Sequence, residues 1–188
     1  MRDRELELFF STGELTVHPK CQEILSLLDG YNTLLFTNAG MYNEGIAGLM
    51  SRGQMAIVTS LDCGTPEAFK KIKAVDMFSE VCGNLTRYAA SGGCIILKYI
   101  MLPDINDNAA DIEGFLSLAW KIGAVVQISN DSRTKCADMP PETLSAALRL
   151  VAGARKTNLL VIHESEVFSC ADNKSIVEAL RVNERMSM

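Results

Sequence analysis

The sequence places a carboxylate at the point where its first strand is predicted to end, in the segment FFSTGELTVHP (residues 9–19). Glu14 directly follows Gly13, and both come after an apolar run that is typical of a strand. A carboxylate in this place can accept several hydrogen bonds or bind a cationic group. The pair is therefore the first candidate for a binding site, although the segment alone does not identify the ligand.

Further polar residues come at the ends of the later predicted strands. Asn38 follows the second strand, Ser60 and Asp62 end the third, Lys98 lies in the fourth, and Asn130 ends the fifth. In parallel α/β folds the carboxyl ends of the strands lie on one side of the sheet and form the ligand site. The set predicts a ligand-binding α/β protein, although each residue singly is also an ordinary turn or helix-capping residue.

The elements that would position these residues alternate between strand and helix along the whole chain. We predict six apolar strands, with helical segments between them and a break near residues 74–77 within the longest helical segment. Strands that are apolar throughout are typical of a parallel sheet covered by helices. Right-handed crossovers then give either a complete or partial (β/α) barrel or a doubly wound open sheet.

The composition is that of a globular protein with a sizeable core. Of the 188 residues, 48% are hydrophobic and 22% are charged, which predicts a single domain over 1–188 with a helical tail at 165–188. The net charge of −5, without runs of Lys or Arg, argues against a nucleic-acid partner. No apolar run reaches the roughly 18 residues that span a bilayer, and no signal peptide is evident, so we predict a cytoplasmic protein without a membrane partner.

The six cysteines are scattered along the chain, and none lies within four residues of another. In a chain of this length that pattern predicts reduced thiols rather than a disulfide framework, and it predicts no metal site. Cys63 is the best placed of them for reactivity, because it follows Asp62 near a predicted helix N-terminus, where the pKa of a thiol is lowered.

Five segments, spread over about residues 6–131, resemble the radical S-adenosylmethionine (SAM) superfamily in order and spacing. They are FFSTGELTVHPKCQEIL, LLFTNAG, AIVTSLDCGTPEAFKKIK, CIILKYIMLPDINDNAADIEGFLSLAWKIG and VVQISND. The resemblance implies a TIM-barrel-like partial (β/α) barrel of about six parallel strands. It also implies a parent enzyme that cleaves SAM at a [4Fe-4S] cluster to start radical chemistry on a peptide, a sugar or a small metabolite.

The same resemblance implies a set of cofactor-binding residues. They are Gly13, Glu14, Asn38, Ser60, Asp62, Lys98 and Asn130. Glu14 would receive the α-amino group of SAM, as the glutamate of the family's GGE segment does, while Gly13 would let the backbone approach the cofactor closely. Ser60 and Asp62 would face the ribose hydroxyls and the methionine end, and the other three residues would line the rest of the cavity.

One departure from the family pattern bears on the chemistry. The family holds its cluster with a CxxxCxxC loop, and no cysteines of this sequence have that spacing. We therefore expect the chain to be inactive alone and to be a fragment of a longer enzyme that carries the cluster strand, or else a degenerate member. An uncovered first strand also predicts a homodimer that forms through this edge.

Two other functions remain open at this point. The first is a non-catalytic binding or scaffold protein that uses the barrel mouth or the exposed sheet edge. The second is a metal-independent barrel enzyme in which His163 and Glu164, at the end of the last predicted strand, form an acid–base pair.

Overall fold

The computed structural model describes residues 7–10, 13–134 and 137–181. The strands are β1 (Glu7–Phe10), β2 (Asn32–Phe36), β3 (Met55–Ser60), β4 (Cys94–Met101), β5 (Val125–Asn130) and β6 (Val161–His163). The helices are α1 (Cys21–Leu28), α2 (Glu44–Ser51), α3 (Pro66–Lys73), α4 (Phe78–Ala90), α5 (Ala109–Ile122), α6 (Pro141–Lys156) and α7 (Cys170–Arg181). The predicted alternation of strands and helices is therefore confirmed.

The six described strands form one parallel sheet in which each strand pairs with the next one along the chain. This order is that of a barrel wall, because a doubly wound sheet reverses its strand order at a switch point. The predicted partial (β/α) barrel is confirmed, and the doubly wound alternative is excluded. β1 and β6 form the two edges of the described sheet.

The two faces of the sheet differ, as β4 shows most clearly. Leu97 and Tyr99 are fully buried, and the ring of Tyr99 packs edge-on against Phe115 of α5, with the ring centroids 4.8 Å apart. Lys98 and Ile100 alternate with them and are only half-buried. We call the face that carries Lys98 the open face, since the helices pack against the other one.

Local signals account for the predicted helix break. α3 begins after Thr65, whose hydroxyl accepts the N–H of Ala68, and Pro66 occupies its first turn. The helix ends at Ala74, which has the left-handed conformation (φ 59°), and α4 begins at Phe78. At the far end of the chain, α7 packs against α6. Within the described parts of the chain, no helix has the length and apolarity that crossing a membrane requires.

The predicted homodimer concerns β1, which among the described strands pairs only with β2. An unpaired strand edge presents free N–H and C=O groups to a second chain. We expect light scattering on the purified protein to give a mass of twice 20.5 kDa. A mass of 20.5 kDa at every concentration tested would contradict the prediction.

Candidate functional site

A cleft of about 730 Å³ opens at the carboxyl ends of β1, β2 and β3. Four of the seven predicted cofactor-binding residues line it, namely Gly13, Glu14, Asn38 and Ser60. Apolar side chains from the α3–α4 region form part of its wall, among them Phe69 and Met77. The cleft is where a parallel barrel is expected to bind its ligand.

Glu14 joins the turn after β1 to the end of β2. Its Oε1 atom accepts the N–H of Thr16 at 3.3 Å, the hydroxyl of Thr16 at 2.8 Å and the hydroxyl of Thr37 at 2.9 Å. Its Oε2 atom accepts the N–H of Asn38 at 2.7 Å. The half-buried carboxylate is therefore held in a fixed position on the cleft wall. The sequence singled out Glu14 and Asn38, but not the two threonines that help to hold the carboxylate.

Gly13 has a structural reason to be glycine that the sequence did not reveal. Its φ is +79°, a left-handed conformation that L side chains rarely adopt. A Cβ atom added there would meet nothing within 4 Å. The backbone conformation thus suffices to explain the glycine, and the predicted close approach to a cofactor stays a prediction.

Asn38 and Ser60 lie on the cleft wall in different settings. Asn38 is exposed, and its Oδ1 atom accepts the N–H of Gly40 at 2.8 Å, which fixes the turn after β2. Ser60 is half-buried at the end of β3, and it pairs with Lys98 in the parallel ladder. Ser60 therefore links the cleft to the open face of β4.

Asp62 does not line the cleft, although the sequence placed it at the cofactor. It has a left-handed backbone (φ 64°) and is 2% exposed. Its Oδ1 atom accepts the N–H of Ile100 at 2.9 Å, and its Oδ2 atom forms an ion pair with Lys73. Lys73 does line the cleft. Asp62 is thus connected to the cleft through its ion pair with Lys73. The sequence did not predict Lys73 as a site residue, because the spacing of Asp62 and Lys73 carries no local signal.

Lys98 and Asn130 also lie outside the cleft. The ammonium of Lys98 donates to Oε1 of Glu164 at 2.8 Å, and Oδ1 of Asn130 accepts the N–H of Asp131 at 2.9 Å. His163 pairs in register with Ile128, on the helix-covered face, whereas Glu164 contacts residues of the open face. His163 and Glu164 therefore do not form the acid–base pair considered above, because strand alternation turns them to opposite sides.

Cys63 is not the reactive thiol that its sequence position suggested. It is fully buried, and this burial, together with the nearby carboxylates of Asp111 and Asp62, raises the pKa of its thiol to about 12. Cys63 is therefore protonated at neutral pH. In the described ranges, no group of three His, Cys, Asp or Glu side chains is arranged to hold a metal ion.

The fold resembles the partial barrel of radical SAM enzymes, and solved structures show this likeness. SuiB from Streptococcus suis, bound to the precursor peptide SuiA, has a TM-score of 0.65 at 13% identity, over 84% of this chain and 38% of SuiB. A domain of a pyruvate-formate lyase-activating enzyme from Bacteroides vulgatus also has a TM-score of 0.65, at 11% identity, over 84% of this chain and 98% of that domain.

A third structure, anSMEcpe with bound AdoMet, has a TM-score of 0.55 at 12% identity, over 82% of this chain and 47% of that protein. SuiB has also been solved bound to S-adenosylmethionine. The present chain spans about two fifths of the length of SuiB. No protein-family model matches the sequence, and no curated protein matches it in sequence. At these identities the likeness is one of fold.

Proposed function

We propose that this chain is the SAM-binding part of a radical-SAM-type enzyme, in which Glu14 binds the amino group of the cofactor. One observation carries the proposal: the carboxylate of Glu14 is held on the wall of a cleft at the carboxyl ends of the barrel strands. The fold supports it, since structures of this fold have been solved with S-adenosylmethionine bound.

The cleft can accept an ammonium group at Glu14. A carboxylate has about four acceptor positions. The chain already supplies four donors, which are two N–H groups and the hydroxyls of Thr16 and Thr37. Because hydroxyls rotate, both threonines can withdraw their protons and turn their lone pairs towards an incoming ammonium. Glu14, Thr16 and Thr37 then form an acceptor set for a cation.

The remainder of the cleft suits a ligand with a large apolar part. Its volume of about 730 Å³ lies within the usual range of roughly 300–1,000 Å³ for small-molecule sites. Val58, Phe69 and Met77 supply apolar surface, and Lys73 supplies a cation. If SAM were bound here, Glu14 would hold its amino group, and the cofactor would supply the radical chemistry of the parent enzyme.

The residues of this chain do not fit a [4Fe-4S] cluster. Its cysteines lack the CxxxCxxC spacing, and the five that the structure describes are all free thiols. In this proposal the cluster therefore belongs to another part of a longer parent enzyme. Free thiols also suit the cytoplasm, which we propose as the compartment.

A second candidate is a non-catalytic binding protein that uses the same cleft. The observation in its favour is that the four donors around Glu14 already satisfy the carboxylate, as they would in a purely structural role. In that case Glu14 would join β1 to β2, and its replacement would change the stability of the protein but not its affinity for SAM.

Calorimetric titration of SAM into the protein and into the variant Glu14→Gln separates the two candidates. The substitution keeps the size of the side chain and removes its charge. Because charge-assisted hydrogen bonds contribute about 1.5–3 kcal/mol, we expect the variant to bind SAM at least about tenfold more weakly.

Two controls make the titration specific. Glu23→Gln removes the same charge from an exposed site on α1, where Glu23 pairs with Lys20, and it should leave SAM affinity unchanged. Methylthioadenosine, which lacks the amino-acid end of SAM, should bind the native protein and Glu14→Gln equally well. Absence of SAM binding by the native protein, or equal SAM binding by Glu14→Gln, would contradict the proposal.

A further inference from the structure

A cluster of polar side chains lies on the open face beside the cleft and outside its lining. Glu164, which follows β6, accepts a hydrogen bond from the ammonium of Lys98 at 2.8 Å and one from Nε2 of Gln127 at 2.6 Å, both on Oε1. The hydroxyl of Ser129 donates to the other oxygen, Oε2. Two neighbouring strands, β4 and β5, therefore contribute donors to a single carboxylate.

Among the residues that the structure describes, these contacts leave protons of Lys98 and the amide oxygen of Gln127 without a partner. A carboxylate only accepts hydrogen bonds, so the amide of Gln127 must present its NH₂ to Glu164 and turn its Oε1 away. Lys98 has three protons, and within the described part of the chain its side chain contacts Glu164. Lys98 and Gln127 are register partners in the parallel ladder and contact the same oxygen atom, so their side chains lie side by side on the open face.

Stability alone is a poor explanation for this cluster. The side chains of Lys98 and Glu164 are only 17% and 32% exposed, on a face whose neighbours include Ile96, Ile100 and Ile162. Ion pairs that are largely removed from water often contribute no more than apolar packing would. An ion pair here is better explained by what it holds in place, namely the spare ammonium protons and the spare amide oxygen.

We propose that Lys98 and Gln127, held by Glu164, form a subsite for an amide group of the substrate. Lys98 donates to the carbonyl oxygen of the ligand, and Oε1 of Gln127 accepts its N–H. A primary carboxamide and one residue of an extended peptide both present a carbonyl oxygen and an N–H on the same edge.

This subsite adjoins the cleft, because Ser60 lines the cleft and pairs with Lys98 in the parallel ladder. A ligand there would lie next to whatever the cleft holds. The inference rests on the proposed function in one respect only: it takes the amide-bearing ligand to be the substrate of the SAM-dependent reaction.

Nuclear magnetic resonance on ¹⁵N-labelled protein tests the subsite without SAM, so its failure is distinguishable from a failure of the SAM site. The probes are acetamide, N-acetylalanine N-methylamide and, as an anion without an N–H, sodium acetate. We expect one of the two amides to shift the side-chain amide signals of Gln127 saturably, and acetate at equal ionic strength not to. Saturation by acetamide indicates a carboxamide substrate, and saturation only by the capped alanine indicates a peptide.

Variants then connect the binding to Lys98. Lys98→Met is expected to weaken amide binding about tenfold or more, because it removes a charged donor. The double variant Lys98→Met/Glu164→Gln leaves no unpaired charge, so it guards against loss of folding, and it should lose binding equally. Lys121→Met removes a charge from the exposed side of α5 and should bind as the native protein does. The proposal would be overturned if only acetate shifted the signals saturably, or if no probe did. It would also be overturned if the Lys98 variants bound the amide as tightly as the native protein does.

Discussion

Replacing Gly114 with alanine is expected to lower the free energy of unfolding by about 3 kcal/mol, since overpacking against rigid backbone lies at the upper end of its usual cost. A Cβ atom at Gly114 would lie 2.3 Å from the carbonyl oxygen of Gly64. A Cβ atom at Gly64 would lie 2.2 Å from the carbonyl oxygen of Asp111. The two glycines let α5 press directly against the loop that follows β3.

This contact matters for the site because it fixes the loop that carries Asp62 and leads into α3. Oδ1 of Asp111 accepts the N–H groups of Gly64 and Thr65, both at 3.1 Å, and the hydroxyl of Thr65 at 2.8 Å. Pushing α5 away would stretch all three hydrogen bonds together. Gly64→Ala should therefore destabilise the protein about as much as Gly114→Ala.

Urea denaturation followed by circular dichroism measures both effects. The two substitutions act on one contact, so the double variant should lose less stability than the sum of the single losses. Gly83→Ala is the matched control, because Gly83 lies in α4 with nothing within 4 Å of its added Cβ atom. It should raise stability by up to about 1 kcal/mol, the difference in helix propensity. Equal midpoints for Gly83→Ala and Gly114→Ala would show that the helix–loop contact is not tight.

Replacing Asp62 with alanine is expected to cost about 3 kcal/mol, since it removes the buried carboxylate from an ion pair whose lysine side chain is only 29% exposed. Asp62 is 2% exposed, and it is the acceptor both for Lys73 and for the N–H of Ile100. The variant therefore leaves an unpaired ammonium on the cleft wall and a β4 amide without its acceptor. The midpoint of urea denaturation gives the loss of stability.

Two further variants separate the loss of the ion pair with Lys73 from the loss of the acceptor for the N–H of Ile100. Asp62→Asn keeps an oxygen for Ile100 and tolerates the left-handed conformation, so it should cost less than Asp62→Ala. Lys73→Met leaves the carboxylate of Asp62 buried without its cation and should also destabilise the protein. Combining Asp62→Asn with Lys73→Met removes both charges and should recover part of the loss. If Lys73→Met is as stable as the native protein, the ion pair does not support the fold.

The sequence by itself determined the local structure of this protein. Apolar strands, helix caps such as Thr65 and the break near Ala74 act over a few neighbouring residues, so they could be predicted from the chain alone. The placement of Glu14 after Gly13, at the end of a strand, was equally local. The parallel sheet followed from strands that are apolar throughout, and the resemblance to radical SAM enzymes then favoured a barrel.

Only the tertiary structure decided which side chains meet. Glu14 accepts a hydrogen bond from Thr37, which is 23 residues away, and Lys98 donates one to Glu164, which is 66 residues away. Asp62 turns inward to Lys73 instead of facing the cleft. Such contacts depend on strand order, register and the direction in which each strand end turns. Composition and spacing do not encode these in any short window, because crossovers bring distant segments together.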